Sequence, residues 1–136
     1  MKGEKMSLTL SKARDMSNAA LEKAEEMGVE ITVCIVDKGG NVVIKARMDD
    51  AGYLSGQFAE DKAYTAAGIG FATSDLAPIV QPGEMVFGIT HPRVVTFGGG
   101  IPLQDGGSVV GGVGISGGSV DDDVAIAEAA IAVWDK

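Results

Sequence analysis

Apolar residues recur at spacings of three and four in three stretches of the chain, and this spacing predicts amphipathic helices. The first predicted helix covers residues from about 9 to 27, and a glycine follows it. The second covers about 56 to 68, with alanines along one side. The third covers about 120 to 134, with Ser119 as its N-cap and Asp122 at the distance of a capping box.

Runs of β-branched and apolar residues lie between these helices and predict five strands. The first two strands are separated by the turn segment 37–41 and form a hairpin. Before the third strand, residues 72–84 combine a short helical turn with the breaker Pro82-Gly83, which predicts a surface loop or a lid. The predicted strands cover 31–36, 42–48, 85–89, 94–97 and 108–116.

The order of these elements is α-β-β-α-(β)-β-β-α, in which helices are separated by groups of strands. Strands joined by hairpins imply an antiparallel sheet, so the order predicts an α+β fold rather than a doubly wound one. With 136 residues and no linker composition, we expect a single domain, 1–136. Many of the 20 glycines fall between Gly98 and Gly118, where the intervening Val, Ile and Leu indicate strands and tight turns.

Charge and composition argue against several classes of binding partner and cellular location. Eleven basic against 19 acidic residues give a net charge of −8, which repels a phosphate backbone and argues against nucleic-acid binding. No apolar run reaches the roughly 18 residues of a membrane span, and residues 1–5 are not followed by the apolar stretch of a signal peptide. Cys34, the single cysteine, lies in an apolar run, which predicts a buried thiol, no intrachain disulfide and a cytoplasmic location.

Five segments carry a joint sequence pattern: Val36-Asp37-Lys38-Gly39-Gly40 with Arg47-Met48-Asp49, Lys62-Ala63 with Thr65-Ala66-Ala67, Phe97 to Pro102, Val110 to Gly118, and Asp123 with the helix after it. In this order they resemble the family of the glycolate-operon protein GlcG, the haem-binding protein HbpS and the C-terminal domain of PduO-type corrinoid adenosyltransferases. The resemblance covers nearly the whole chain. It implies a profilin-like fold, an antiparallel sheet flanked by helices, that assembles into homo-oligomers. It also implies haem, a corrinoid or a small catabolic metabolite as the ligand.

A ligand pocket is predicted where glycine-rich segments and charged side chains converge. Three consecutive glycines after a strand let a ligand approach the backbone closely. Lys62 lies beside alanines, where partial burial would lower its pKa and suit acid–base chemistry or carboxylate binding. The predicted ligand-binding residues are Arg47, Asp49, Lys62, Gly98, Gly99, Gly100, Ser116 and Gly117.

Each part of this pocket has a structural alternative. The glycines also fit a bulge or a tight turn where a helix packs on the sheet, and the charged side chains also fit an ion-pair network between loop and helix. His91, the single histidine, is either a candidate haem ligand or an exposed loop residue. Haem-binding relatives can use a histidine from the first helix, where this chain has none. The sequence predicts no metal site of the zinc type.

These features lead to three hypotheses. The first is a small-molecule-binding protein whose ligand is haem, a corrinoid or a small catabolic metabolite. The second is a small catabolic-operon enzyme of the lyase, isomerase or hydratase type, with Lys62 or Arg47 in its active site. The third is an assembly or accessory factor of a diol-utilisation system.

Overall fold

The computed structural model describes residues 7–136, and within them it contains three helices of more than one turn and one four-stranded sheet. Residues 1–5, on which the expectation of no signal peptide rests, lie outside the described residues. In chain order the elements are α1 (Leu10–Met27), β1 (Thr32–Asp37), β2 (Val42–Arg47), α2 (Tyr53–Ile69), β3 (Gly100–Asp105), β4 (Ser108–Ser116) and α3 (Val120–Trp134).

Local capping groups define the ends of α1 and α3. Thr9 Oγ1 accepts a hydrogen bond from the backbone N–H of Lys12 at 3.1 Å, and Gly28 ends α1 in the left-handed conformation with a φ of 70°. At α3, Ser119 and Asp122 form the capping box that their spacing predicts. These caps satisfy backbone groups that have no partner inside a helix, and they fix where both helices begin.

All neighbouring strands of the sheet are antiparallel, in the order β2-β1-β4-β3. β1 and β2 form one hairpin, β3 and β4 form a second, and β1 pairs with β4 at the centre. α2 packs on one face of the sheet, while α1 and α3 pack on the other. This arrangement confirms the predicted α+β fold, an antiparallel sheet flanked by helices.

The central strand β1 is buried on both faces because its side chains alternate between two apolar layers. Val33 and Ile35 lie in the larger core, which α1 and α3 share. Cys34 and Val36 lie in a smaller core together with alanines of α2. The position of Cys34 confirms the predicted burial of its thiol.

Glycines of β4 let α2 approach the sheet closely. Gly112 and Gly114 face the same layer as Cys34, the residue that pairs with Gly114. A Cβ atom at Gly112 would lie 2.5 Å from the carbonyl oxygen of Ala63, and one at Gly114 would overlap the carbonyl oxygen of Ala59. Glycine on the strand and alanine on the helix therefore remove the side chains that would hold the two backbones apart.

The second half of the sheet differs from the prediction. Residues 85–89 and 94–97, both predicted as strands, form turns and irregular backbone, and β3 lies further along the chain. Met85 and Phe87 are exposed, so the apolar character of their segment does not reflect burial in a sheet. Pro102 lies within β3, which is an edge strand and can therefore accommodate a residue without a backbone N–H.

The predicted surface segment 72–84 lies within the longer connection from α2 to β3, residues 70–99, and its residues Thr73 and Leu76 are buried. It contains two short 3₁₀ turns, Thr73–Asp75 and Pro78–Val80, before the chain returns towards the sheet. α2 itself begins at Tyr53, three residues earlier than its alanine pattern indicates. Across residues 7–136, no helix combines the length and apolar character that a bilayer crossing requires.

Candidate functional site

The side chain of Lys62 projects from α2 into the junction between the sheet and the start of α3. It is only 1% exposed. Its ammonium donates hydrogen bonds to the carbonyl oxygen of Ile115 at 2.9 Å and to Oδ2 of Asp123 at 3.0 Å. The ammonium also lies 4.9 Å from the centroid of the Phe97 ring. Lys62 is therefore fully enclosed and belongs to an ion pair, but its partner lies on α3, whereas the structural alternative predicted a pair between a loop and the helix.

Asp123 is held in place by the backbone that precedes α3. The N–H of Gly118 donates to Oδ1 at 2.9 Å, while Oδ2 accepts the Lys62 hydrogen bond. Burial raises the pKa of the Asp123 carboxyl, and the Lys62 cation opposes that rise. Burial lowers the pKa of Lys62, and the Asp123 charge opposes that fall. Desolvation thus brings the proton affinities of the two groups closer together than they are in water.

The glycine segment 98–100 is packed against α2 and α3. Gly99 has a φ of 128°, and a Cβ atom there would lie 2.6 Å from the carbonyl oxygen of Ile115 and 2.8 Å from Nζ of Lys62. Its two glycine neighbours are enclosed as tightly by side chains and backbone. Close packing therefore accounts for the three glycines, and a ligand contact at this segment stays a prediction.

Arg47 is the last residue of β2, and Asp49 lies in the connection from β2 to α2. Arg47 Nη1 donates to the carbonyl oxygens of Met48, Asp49 and Ala51 at 3.4, 3.3 and 2.8 Å. The guanidinium thus stabilises the turn that leads into α2. Because only one of its nitrogens is used in this way among the described residues, the others can donate to a ligand.

Ser116 and Gly117 lie at the end of β4, in the same row of the sheet as Arg47. Thr32 of β1 stands between them, since it pairs with Arg47 on one side and with Ser116 on the other. Ser116 is buried, and Gly117, with a φ of 136°, is packed against the backbone before β1. The predicted pocket residues therefore fall into two groups, one around Lys62 and one around Arg47.

A groove, which we call the β2–α2 groove, is lined by Lys45, Arg47, Tyr53, Leu54, Gly56 and Gln57. It is open to solvent and has a volume of about 530 Å³, within the range of about 300–1,000 Å³ that is common for small-molecule sites. Tyr53 is 85% exposed and Leu54 55% exposed, so the groove offers apolar surface. At the edge of the groove, the Lys45 ammonium lies 3.0 Å from Oε1 of Glu60.

A charged cluster continues from this groove along α2. Arg93 Nη2 lies 3.0 Å from Oε2 of Glu60, and Arg93 Nε lies 3.0 Å from Oδ1 of Asp61. The guanidinium also lies 3.9 Å from the centroid of the Tyr64 ring. The hydrogen bond to Asp61 raises the pKa of Arg93 above its ordinary value. These contacts hold the segment before β3 against α2, so the cluster has a structural role.

His91 is engaged in a hydrogen bond, and Cys34 is buried. His91 Nδ1 accepts the backbone N–H of Arg93 at 3.1 Å, so the lone pair of this nitrogen is in use. The ring also stacks on Tyr64, with centroids 6.5 Å apart. Burial raises the pKa of the Cys34 thiol to about 12, which keeps it protonated and unsuited to a metal. Iron ligation through Nδ1 of His91 therefore requires the hydrogen bond to Arg93 to break.

Comparison with known proteins decides the family. The protein-family model described as "Haem degrading protein HbpS-like" matches residues 8–132 of this chain. The chain belongs to the HbpS-like family. This HbpS-like chain is 43% identical over 130 residues to the corrinoid adenosyltransferase PduO of Citrobacter freundii, a match that covers 93% of the chain and 39% of PduO. It is 30% identical over 112 residues to the protein GlcG of Escherichia coli strain K12, covering 82% and 83% of the two chains.

A solved relative extends this comparison to structure. The crystal structure described as a PduOC:Heme complex has a TM-score of 0.91 and 40% sequence identity, with 94% of this chain and 95% of that chain covered. The family resemblance predicted from the sequence is thus confirmed. Because the HbpS-like chain spans only about two fifths of PduO, the match concerns one part of that adenosyltransferase.

Three residues at these sites are absent from the predicted ligand-binding residues, although Phe97 and Asp123 belong to the segments that carry the family resemblance. Phe97 lies beside the glycine-rich segment, and Tyr53 precedes the predicted start of the second helix. Asp123 follows two other acidic residues, a pattern typical of a solvated first helical turn. Helical spacing is the sequence signal that predicts burial of Asp123. Asp123 lies three and four residues before the buried Ile126 and Ala127 and therefore shares their face of the helix.

Proposed function

We propose that this HbpS-like protein binds haem in the β2–α2 groove. One observation carries the proposal: an open groove combines two cations with aromatic and apolar surface, in a fold whose relative PduOC is described as a haem complex. Of the ligand-binding residues predicted from the sequence, Arg47 lines this groove, whereas Lys62 lies outside it.

The donor set of the groove fits the chemistry of haem. Haem carries two carboxylate arms on a flat apolar ring, so its site needs cations beside an apolar wall. Lys45 and Arg47 would hold the carboxylates, and Tyr53 and Leu54 would form the wall. Arg47 can present a second nitrogen while Nη1 keeps its bonds to the turn.

The residue that suits the iron is Tyr53. Tyrosine oxygen is one of the axial ligands that proteins use for haem iron. The side chain of Tyr53 lines the groove and is 85% exposed, whereas His91 and Cys34 do not line it. Bound haem would supply a redox-active iron at this position. In a Tyr53→Phe variant, we expect haemin still to bind but with a changed charge-transfer spectrum.

A haemin titration, followed by absorbance and by co-elution in gel filtration, tests the proposal. The wild type should shift the Soret band, and a Lys45→Gln/Arg47→Gln double variant should bind about tenfold more weakly, equivalent to about 1.4 kcal/mol. The matched control is Arg14→Gln, which removes an exposed cation from α1 on the opposite side of the sheet. Absence of a Soret shift, or an equal loss in the control, would contradict the proposal.

Cobalamin is the competing ligand in the same experiment. The similarity to PduO, a corrinoid adenosyltransferase, favours a corrinoid as the second candidate. The side arms of cobalamin are mostly amides rather than carboxylates, so removing Lys45 and Arg47 should weaken cobalamin binding less than haemin binding. If cobalamin binds and haemin does not, the proposed ligand is a corrinoid and not haem.

We also propose that the chain forms a homo-oligomer through the segment before β3. Met85, Phe87 and Ile89 are 83%, 61% and 49% exposed, and a neighbouring subunit would remove this apolar surface from water. Light scattering should give a mass of several subunits, and a Met85→Ser/Phe87→Ser variant should shift it towards the 13.9 kDa of one chain. A wild-type mass of one chain would contradict this assignment.

The cytoplasm is the location that we propose. Its support is Cys34, which is single and buried, so its thiol is not engaged in an intrachain disulfide of the kind formed in oxidising compartments. Fractionation of the native host should recover the protein with cytoplasmic markers. Recovery in another fraction would contradict the proposed location.

A further inference from the structure

The partly exposed ring of Phe97 lies against the ammonium of the buried Lys62–Asp123 pair. A lysine ammonium has three N–H groups. Hydrogen bonds to Ile115 and Asp123 use two of them, and the Phe97 ring lies against the ammonium as its third partner. Phe97 is 39% exposed and ends the irregular segment before the three glycines. The Phe97 ring also packs against the Phe58 ring, with centroids 5.9 Å apart, and its outward rotation is the movement that the proposal below requires.

Stability alone is a weak reason for such a pair. The two side chains are 1% and 4% exposed and have lost most of their hydration. Replacing buried ion pairs by apolar side chains is often neutral or stabilising. Burial also lowers the pKa of Lys62 and raises that of Asp123, which makes proton transfer from the ammonium to the carboxylate easier. The resulting neutral amine is a nucleophile towards carbonyl carbon.

We propose that Lys62 forms an imine with short aldehydes, and that Asp123 accepts and returns the proton that this reaction moves. The substrate must be small, because Gly99 and its neighbours are packed, which leaves only the volume of a displaced Phe97 ring for it. This activity is separate from haem binding, since neither Lys62 nor Asp123 lines the β2–α2 groove.

The reaction balances within the pair. The Lys62 ammonium first transfers a proton to Oδ2 of Asp123, 3.0 Å away. The free amine then adds to the carbonyl carbon, which forms a C–N bond and a carbinolamine. Asp123 returns its proton to the carbinolamine hydroxyl, which leaves as water while the C=N bond forms. The products are a protonated imine and an ionised Asp123, so the net charge of the pair is unchanged.

Reductive trapping of the wild-type protein tests the proposal without any substitution. Haem-free protein is incubated with acetaldehyde and cyanoborohydride at neutral pH, and ethylation of each lysine is measured by peptide mass spectrometry. We expect Lys62 to be labelled several-fold faster than Lys38, which is exposed, and Lys12, which is partly exposed. Slower labelling of Lys62 than of both others, as its 1% exposure alone would dictate, would overturn the proposal.

Two variants separate the role of each neighbour. Phe97→Ala uncovers the amine and should accelerate labelling of Lys62 several-fold while leaving Lys38 unchanged. Asp123→Asn removes the charge that opposes the fall in the Lys62 pKa, and it also removes the acid that protonates the leaving hydroxyl. We expect the second loss to dominate and to slow labelling of Lys62 about tenfold in protein whose circular dichroism matches that of the wild type. Unchanged labelling of Lys62 in folded Asp123→Asn would overturn the assignment of Asp123. Haemin binding in both variants is measured in parallel, so failure of this proposal and failure of haem binding are distinguishable.

Discussion

Lys62 and Lys45 both form ion pairs beside α2, yet their surroundings are opposite. The Lys62–Asp123 side chains are 1% and 4% exposed and connect α2 to the start of α3. The Lys45–Glu60 side chains are 34% and 25% exposed and lie at the edge of the β2–α2 groove. The first lysine is held in one position by the core, whereas the second can exchange Glu60 for the carboxylate of a ligand.

Solvent explains why these two pairs suit different tasks. An exposed ion pair contributes only about 0–1 kcal/mol, because water competes for both partners. Removing one partner of a buried pair costs about 3–5 kcal/mol, because the remaining charge is left without water or counter-ion. A groove residue can therefore exchange partners at low cost. A buried residue is better suited to holding elements together, and Lys62 is the buried residue for which we propose covalent chemistry.

The largest expected effect is on the buried pair. Asp123→Ala leaves the Lys62 ammonium without its counter-ion, and we expect the free energy of unfolding to fall by about 3–5 kcal/mol. Urea denaturation measures this change. The matched control is Asp121→Ala, which removes an exposed acid from the same helical turn and should cost only about 0.3–1 kcal/mol. Equal losses in the two variants would show that burial does not distinguish these carboxylates.

A second effect tests the close approach of α2 to the sheet. Gly114→Ala places a Cβ atom against the backbone of Ala59, which cannot move aside as a flexible side chain can. We expect a loss of about 2–3 kcal/mol in the free energy of unfolding. Gly107→Ala is the control, because a Cβ atom there has no neighbour within 4 Å among the described residues. A Gly114→Ala variant as stable as this control would contradict the packing described above.

The pH dependence of stability tests the burial of Cys34. Burial raises the pKa of this thiol from 9.0 to about 12, so above pH 9 the native state keeps a proton that the unfolded chain releases. Stability therefore falls as pH rises through this window, and at pH 10 the thiol should account for a loss of about 1.4 kcal/mol relative to pH 7. Denaturation at both pH values should show a smaller loss for Cys34→Ala. Parallel pH profiles for the two proteins would contradict the predicted shift.

The smallest effect on stability is expected in the groove. Lys45→Gln removes an exposed pair with Glu60 and should change the free energy of unfolding by less than about 1 kcal/mol. The same variant should still weaken haemin binding measurably, because the lysine is proposed to hold a carboxylate of the ligand. A variant that loses several kcal/mol of stability would mean that the groove is part of the structural framework.

Patterns within single elements predict most of the fold. The bounds of α3 are predicted correctly because Ser119 supplies a local cap, and β1 is recognisable by its β-branched run. β3 is missed because Gly100, Pro102 and Asp105 all disfavour a strand, and its formation depends on pairing with β4. The segment 85–89 shows the opposite error, since it has strand composition but pairs with no strand in the described part of the chain.

The candidate site is predictable only in part, because ion pairing is a non-local property. Lys62 is recognisable by its alanine neighbours, but Asp123 lies 61 residues further along the chain, and only the assembled fold brings them together. Arg47 was predicted to converge with Lys62. The fold instead places Arg47 on the edge strand β2, beside an open groove, and Lys62 under the centre of α2. Sequence alone therefore identifies the cations and not their surroundings.

Anomalous diffraction at the iron edge, from crystals of the protein with bound haemin, locates the haem iron without any substitution. We expect an iron peak in the β2–α2 groove, near the Tyr53 oxygen and with the carboxylate arms beside Lys45 and Arg47. An iron peak on the side of the sheet that carries α1 and α3 would contradict this expectation.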